Sequence, residues 1–330
     1  MQITTMRINF IVEDFSVFKY IGSATAARTI YGNMPRDADL DLFWNSARRS
    51  VDLAHFHTFG PMALAYRAYT GGVKVLTAHS TPHTNVGNIG LSGLINRLYP
   101  PIYRGFDHII TVSNPCDREI RAMLPDMETT MIPNGVDRQV FRRYEDKRRA
   151  FRAALGVDED ETVVLALGQQ TPRKGIYDFL SLAARMPDVI WVWVGGFPYG
   201  RLSKDYAKIE REKRKASENV VFTGFVPDVT EAYSGADLFF FGSRAETFGL
   251  VILEALASGL PVAARGIPEL REIFGDAVAF FDTLDEAQGL VQSKAKLHLS
   301  GDRARQFTEQ FDIKLIAEAH AKLYRRLAEP

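Results

Sequence analysis

"ADLFFFGSRAETFGLVILEALASGLPVAAR", residues 236–265, decides the fold. Leu238 to Phe241 are apolar at every position, without the alternation of a half-exposed strand, so both faces of that strand must be covered. "SRAET" is a polar turn, a helix is expected from Thr247 or Phe248 to about 258, and "PVAAR" reads as strand again. A strand, a helix and a second strand within thirty residues form a βαβ unit, whose strands lie parallel with a right-handed crossover.

The same rhythm extends in both directions. Strand-like runs stand at 6–12, 52–58, 74–80, 108–113 and 129–135, and again at 162–168, 189–196 and 219–224. Helical character fills 16–31, 91–104, 115–124, 175–185 and 202–217, and the segments 284–298, 302–310 and 313–327 close the chain without a further strand. The charged run "RRYEDKRRAFRAALG" (142–156) interrupts the alternation and marks a boundary with a helical connector. The fold class expected is therefore α/β, with two doubly wound Rossmann-like domains. Residues 1–145 are expected to form an N-terminal domain and 146–310 a C-terminal one. Residues 311–330 form a terminal helix that packs back towards the first. Open α/β sheets bind ligands beyond the carboxyl ends of their strands, so two such domains would face each other across a cleft lined by those ends.

Bulk properties narrow the function. The chain of 330 residues carries 40 Lys plus Arg against 40 Asp plus Glu, a balance that argues against a mainly nucleic-acid-binding role. One cysteine, Cys116, excludes an internal disulfide and a multi-cysteine metal site and suits a reducing compartment. No apolar run reaches the roughly 18 residues of a membrane-spanning helix, and the N-terminus does not read as a secretory signal. A cytoplasmic location is expected, with any membrane contact peripheral, on the inner face.

Two strand-to-helix turns hold the chemistry. In "LALGQQTPRKGIYDFL" (165–180), Arg173 and Lys174 stand where a strand feeds a helix N-terminus, a place suited to anions. The glycine spacing is not that of a Walker A loop. In the second turn, Glu246 stands at the end of a strand and Glu254 in the second turn of the helix, with the amides of Phe248, Gly249 and Leu250 near the helix start. A cation across from that helix start describes a diphosphate pocket. Carboxylates repel phosphate but accept hydrogen bonds from hydroxyls, so Glu246 and Glu254 suit the sugars of a nucleotide sugar. The structural alternatives are an ordinary helix-start carboxylate for Glu246 and an ion pair with Arg244 or Arg265 for Glu254.

The run "ETFGLVILEALASGLPV" resembles the E-x7-E motif of glycosyltransferase family 4, retaining enzymes of the GT-B fold. "RKG" (173–175), "IPNGVD" (132–137) and "FTGFVPD" (222–228) are similar to further landmarks of that family in the same order, and the resemblance runs from about 108 to 275. It implies that Lys174, with Arg173, binds the donor diphosphate. Glu254 would hold the ribose and Glu246 the hydroxyls of the transferred sugar, and the amides of Phe248, Gly249 and Leu250 would complete the contacts. Val226 would meet the base through its backbone. His79, in "VLTAHSTPH" (75–83), would face the reacting sugar. One departure stands out: many members carry an arginine where this chain has Gln169, which shifts diphosphate charge onto Arg173 and Lys174.

The resemblance also implies a metal-independent reaction with no cofactor, its donor a nucleotide diphospho-sugar such as UDP-glucose. "DADLD" (37–41) is accordingly read as a surface turn. His55 and His57 share a strand face and read as structural or cleft-lining, since no third zinc ligand is near in sequence. Gly22, opening a helix of small residues after the first strand, suits close approach of donor phosphate or acceptor. Two segments hint at a lipid acceptor. "GLSGLINRLYPPIYRGF" (90–106) sets Leu91, Leu94, Ile95 and Leu98 at helical spacing beside Arg97 and Arg104, and "KDYAKIEREKRKA" (204–216) is strongly basic. "GQQTPRKGIYDFL" and "PDVIWVWVGGFPYG" resemble the diacylglycerol glucosyltransferase branch. Alternatives are a transferase acting on a soluble or glycan acceptor and an inactive nucleotide-sugar-binding subunit.

Overall fold

A computed structural model describes residues 5–35, 39–85, 92–293 and 301–328. The chain divides into two compact units. One comprises residues 1–83, 93–137 and 311–330, the other 84–92 and 138–310.

The first unit carries a parallel sheet of β1 (Met6–Ile11), β2 (Leu40–Trp44), β3 (Leu53–Phe56), β4 (Val73–Ala78), β5 (His108–Thr111) and β6 (Thr129–Met131), in the order β2-β1-β3-β4-β5-β6. Alternate residues of its strands, Ile8 and Phe10 among them, pack against Ile30 of the helix Gly22–Asn33. The same core receives Ile313, Ile316, Ala317 and Tyr324 of the terminal helix Ile313–Ala328. That helix is tied in at both ends. Val136 N–H donates to Phe311 O at 2.9 Å and Ile313 N–H to Val136 O at 3.0 Å, while Arg325 pairs with Asp39 at 2.8 Å.

The second unit's sheet holds β7 (Thr162–Leu167), β8 (Val189–Val194), β9 (Val220–Gly224), β10 (Leu238–Phe241), β11 (Val262–Arg265) and β12 (Ala279–Phe281). Its order is β12-β11-β10-β7-β8-β9, again all parallel, so the winding direction reverses between β7 and β10. Period-two alternation puts Val164, Ala166, Trp191, Trp193, Leu238 and Phe240 on one face, against Ile176, Phe179, Leu182 and Ala183 of the helix Ile176–Arg185. Phe179 meets Trp191 and Trp193 edge to face at 5.3 and 5.1 Å. The other face is equally dry, with Val163, Leu165, Val192 and Phe239 fully buried. That two-sided burial is what the unbroken apolar runs encode.

The structure adds to and corrects the sequence reading. β2 and β12, both at sheet edges, were not expected. β2 takes in Leu40 and Asp41 of the presumed surface turn: Asp41 pairs in register with Arg7, and Asp39 binds Arg325. Asp37 and Ala38 lie outside the described residues, as do Leu91 and residues 294–298 of the expected helices. The 91–104 segment forms two short helices, Ser92–Asn96 and Tyr99–Tyr103, broken ahead of Pro100 and Pro101. The boundary segment forms the helix Glu145–Leu155, whose buried Arg148 and Arg152 grip Asp237 at 3.1 and 3.2 Å within the second unit.

Candidate active site

The carboxyl ends of β7 and β10 flank the point where the second sheet reverses direction, the place where doubly wound sheets bind ligands. The loop after β7 carries Arg173 and Lys174; the loop after β10 carries Ser243 and Glu246. Gly175 lets these loops touch. Its φ of +83° belongs to the left-handed region, and a Cβ there would sit 2.5 Å from Gly242 O, where no side chain fits. Arg244 N–H then donates to Arg173 O at 2.8 Å, stitching the two turns together.

The result is a compact ionic cluster. Lys174 Nζ lies 2.6 Å and Arg173 Nη1 3.0 Å from Glu246 Oε1, and Ser243 Oγ donates to the same oxygen at 2.5 Å. Arg173 also donates to Ala245 O at 2.6 Å, and Lys174 Nζ stands 5.1 Å from the Phe241 ring centre. The three charged side chains are 9–15 % exposed. Burial by itself would raise the Glu246 carboxyl, but the charges of Lys174 and Arg173 and the hydrogen bonds it accepts hold it below its usual range. For Lys174, burial lowers the ammonium and Arg173 lowers it further, against the pull of Glu246. We take the pair as ionised: Glu246 receives three donors, and two cations against one anion leave the cluster net positive. Such a cluster attracts an anion while keeping one carboxylate for hydroxyl donors.

Glu254 is solved differently. Neither arginine reaches it: Arg244 and Arg265 both pair with Asp178, at 2.9 and 2.7 Å. Its partner is the buried Tyr233 hydroxyl, which donates to Oε2 at 2.8 Å. Burial outweighs that bond and pushes the Glu254 carboxyl up to about 7. The helix carrying it runs Leu250–Ala257, so it starts two to three residues later than expected. The cause is Gly249, the N-cap, at φ +92°. Phe248 therefore precedes the helix, with its ring buried 5.9 Å from Phe274, and Leu250 is the first helical residue.

Gln169, where many family members carry an arginine, has its Oε1 buried without a hydrogen-bond partner among the described residues. Val226 is half-buried in the loop after β9. In the first unit Gly22 is exposed at the start of its helix, and a Cβ there would meet nothing. His79, just past β4, has Nε2 3.0 Å from His57 Nδ1. His55 and His57 do lie together, with ring centres 4.1 Å apart, but in a cluster that sequence did not foretell, completed by His320 and Tyr324 of the terminal helix. Ser243 and Tyr233 were likewise missed; a hydroxyl residue has no sequence signature for such a contact.

Comparison with known proteins gives the family and the fold. The profile described as glycosyl transferases group 1 matches residues 147–311, half of the chain, and that of glycosyltransferase family 4 matches 29–140. The chain belongs to this glycosyltransferase family. Among curated relatives of this family member, the alpha-galactosylglucosyldiacylglycerol synthase of Streptococcus pneumoniae is 31% identical over 228 residues, 66% of this chain and 61% of that protein. The processive diacylglycerol alpha-glucosyltransferase of Acholeplasma laidlawii is 36% identical over 139 residues, 42% of this chain and 41% of that one. The family member thus spans between two fifths and three fifths of these relatives' lengths. Among solved structures, Anabaena HepE in complex with UDP-glucose superposes with a TM-score of 0.79 over 97% of this chain and 100% of that one, at 18% identity. Sucrose-phosphate synthase from Thermosynechococcus elongatus gives 0.75 over 98% and 99%, at 19% identity. At those identities the likeness carries the fold, which is the GT-B class read from the sequence.

Proposed function

We propose that this chain transfers a glycosyl unit from a nucleotide diphospho-sugar to an acceptor hydroxyl, with retention and without a metal. The observation that carries the reading is the convergence of Arg173, Lys174 and Glu246 at the switch point of the second sheet, with Glu254 on the helix that follows. Arg173 and Lys174 neutralise the diphosphate, and their contacts strengthen as the leaving group gains charge, which is where binding becomes catalysis. Glu246 accepts from hydroxyls of the transferred sugar and Glu254 from the ribose. The amides of Phe248, Gly249 and Leu250 complete these contacts, and Val226 meets the base through its backbone. From the first unit, His79 addresses the transferred sugar and Gly22 leaves room for phosphate or acceptor. The bond from the anomeric carbon to the diphosphate breaks, the acceptor oxygen takes its place on the same face, and the acceptor proton passes to the departing phosphate.

The acceptor we propose is a glycerolipid at a membrane surface. The names of the two relatives above support it, and so do exposed Leu94 and Leu98 beside exposed Arg97 and Arg104. Exposed apolar side chains next to cations suit an interface with anionic lipid. Among the described residues no helix is long and apolar enough to cross a membrane, so the contact proposed is a surface one. The test is to supply radiolabelled UDP-glucose with diacylglycerol vesicles or with soluble sugars, each with and without EDTA. Label in the lipid fraction, unaffected by EDTA and with α configuration by NMR, supports the reading. Label only in soluble product, inverted configuration or strong inhibition by EDTA each contradict a part of it.

A further inference from the structure

The buried histidines of the first unit differ in how completely they are bonded. His55 is used on both sides, with Nε2 2.7 Å from Thr77 Oγ1 and Nδ1 2.6 Å from the Tyr324 hydroxyl. His320 Nδ1 must donate to Ile316 O, at 2.9 Å, because a carbonyl only accepts. Among the described residues His57, like His320, has a single hydrogen-bond partner: Nδ1 meets His79 Nε2 at 3.0 Å with the ring planes 23° apart, and Nε2 is buried with none. Its ring is clamped, 2 % exposed overall, between Phe10 (5.8 Å, 12°) and His55 (4.1 Å).

One proton between two nitrogens allows two arrangements. If His79 donated from Nε2, His57 would accept at Nδ1 and carry its own hydrogen on Nε2, a buried N–H with nothing to receive it. If His57 donates from Nδ1, its Nε2 is left as a bare lone pair. A stranded donor is rarer in folded proteins than an under-used acceptor. A doubly protonated ring is disfavoured throughout: burial drives His57 well below its ordinary value and His79 down to about 3, with the neighbouring His320 lowering both further.

We infer that His57 is a positioning residue that locks His79 as the neutral tautomer protonated on Nδ1. Free histidine favours the other tautomer, so the lock is a measurable departure. It follows that His79 keeps its proton on Nδ1 and neither gives up nor takes one near neutral pH. The lock stands on the hydrogen bonding of the first unit; its consequence for turnover rests on the proposal that His79 addresses the transferred sugar.

Long-range proton–nitrogen correlation NMR on full-length protein labelled with nitrogen-15 histidine tests it, the His79 signals being assigned through His79→Gln. Between pH 6 and 8 His79 should show a protonated Nδ1 and a bare Nε2. In His57→Leu it should revert to a mixture richer in Nε2–H, and in His57→Asn, whose amide replaces the Nδ1 donor, the lock should return. Turnover of UDP-glucose should fall about tenfold in kcat for His57→Leu, a loss of about 1.4 kcal/mol, with KM nearly unchanged and partial recovery in His57→Asn. An Nε2-protonated His79 in the wild type overturns the inference, and that spectrum decides even if His57→Leu fails to fold. So does a tautomer indifferent to His57→Leu. A lock present as predicted with kcat unmoved supports the inference and instead removes His79 from the sugar.

Discussion

Lys174 and Glu246 are 72 positions apart in sequence and 2.6 Å apart in the fold. Each could be read as a candidate from its own turn, one for phosphate and one for sugar, but nothing in either stretch says that they touch. That contact makes Lys174 more than a loop cation: it is nearly buried, held by one carboxylate and balanced by Arg173. Lys174→Ala should lower kcat/KM about 100- to 1000-fold, the cost of removing one preorganised donor from a developing charge. Its cooperative unfolding should persist, because Glu246 retains Arg173 and Ser243. Glu254 makes a prediction of a different sign. Its carboxyl, near 7 in the fold and about 4.3 when unfolded, is favoured in the protonated form by folding. Its contribution to stability is therefore full below about pH 4.3 and is lost as pH rises through 7. Glu254→Gln should escape that loss. The stability difference between Glu254→Gln and wild type, measured by urea unfolding, should grow by on the order of 2–4 kcal/mol between pH 4.5 and 8; a difference that stays flat across that range would refute the buried protonation.

The apolar strands were legible because two-sided burial leaves no room for alternation, and all ten runs expected from the sequence contain a strand. β2 and β12 escaped for the complementary reason. β2 is an edge strand with Asp41 exposed, and β12 has only three residues, so neither bears the signature of a covered strand. The helix start at Leu250 was misplaced because Thr247 and Phe248 do not by themselves forbid helix; the backbone turns at Gly249, and φ is not written in a side chain. Glycine at 175 is the element on which the site depends, since the lack of a Cβ there lets the β7 and β10 loops meet at Gly242. Gly175→Ala should destabilise the protein by more than about 1 kcal/mol, the least that strained φ and backbone overlap would cost. It should also lower turnover more than stability predicts, by parting Lys174 from Glu246. A variant with wild-type melting temperature and activity would remove Gly175 from this role.

Across the whole chain, the family and its fold could be read from motifs that occupy strand ends, where a doubly wound sheet places its ligands regardless of sequence elsewhere. The histidine cluster was not readable, because its members come from β3, the ends of β3 and β4, and a terminal helix some 240 to 270 positions away. Such a cluster exists only once that helix has packed onto the first unit. The proposal on which the rest depends is narrower than the chain: the net positive cluster of Arg173, Lys174 and Glu246 on the second unit binds a nucleotide diphospho-sugar through Lys174. A thermal-shift series over UDP-, GDP- and ADP-linked sugars, run on wild type and Lys174→Ala, tests it most directly. At a ligand concentration of about 100 times Kd, at least one donor should stabilise the wild type by about 2.7 kcal/mol and leave Lys174→Ala nearly unmoved; no shift from any donor, or an equal shift in both proteins, would contradict the claim.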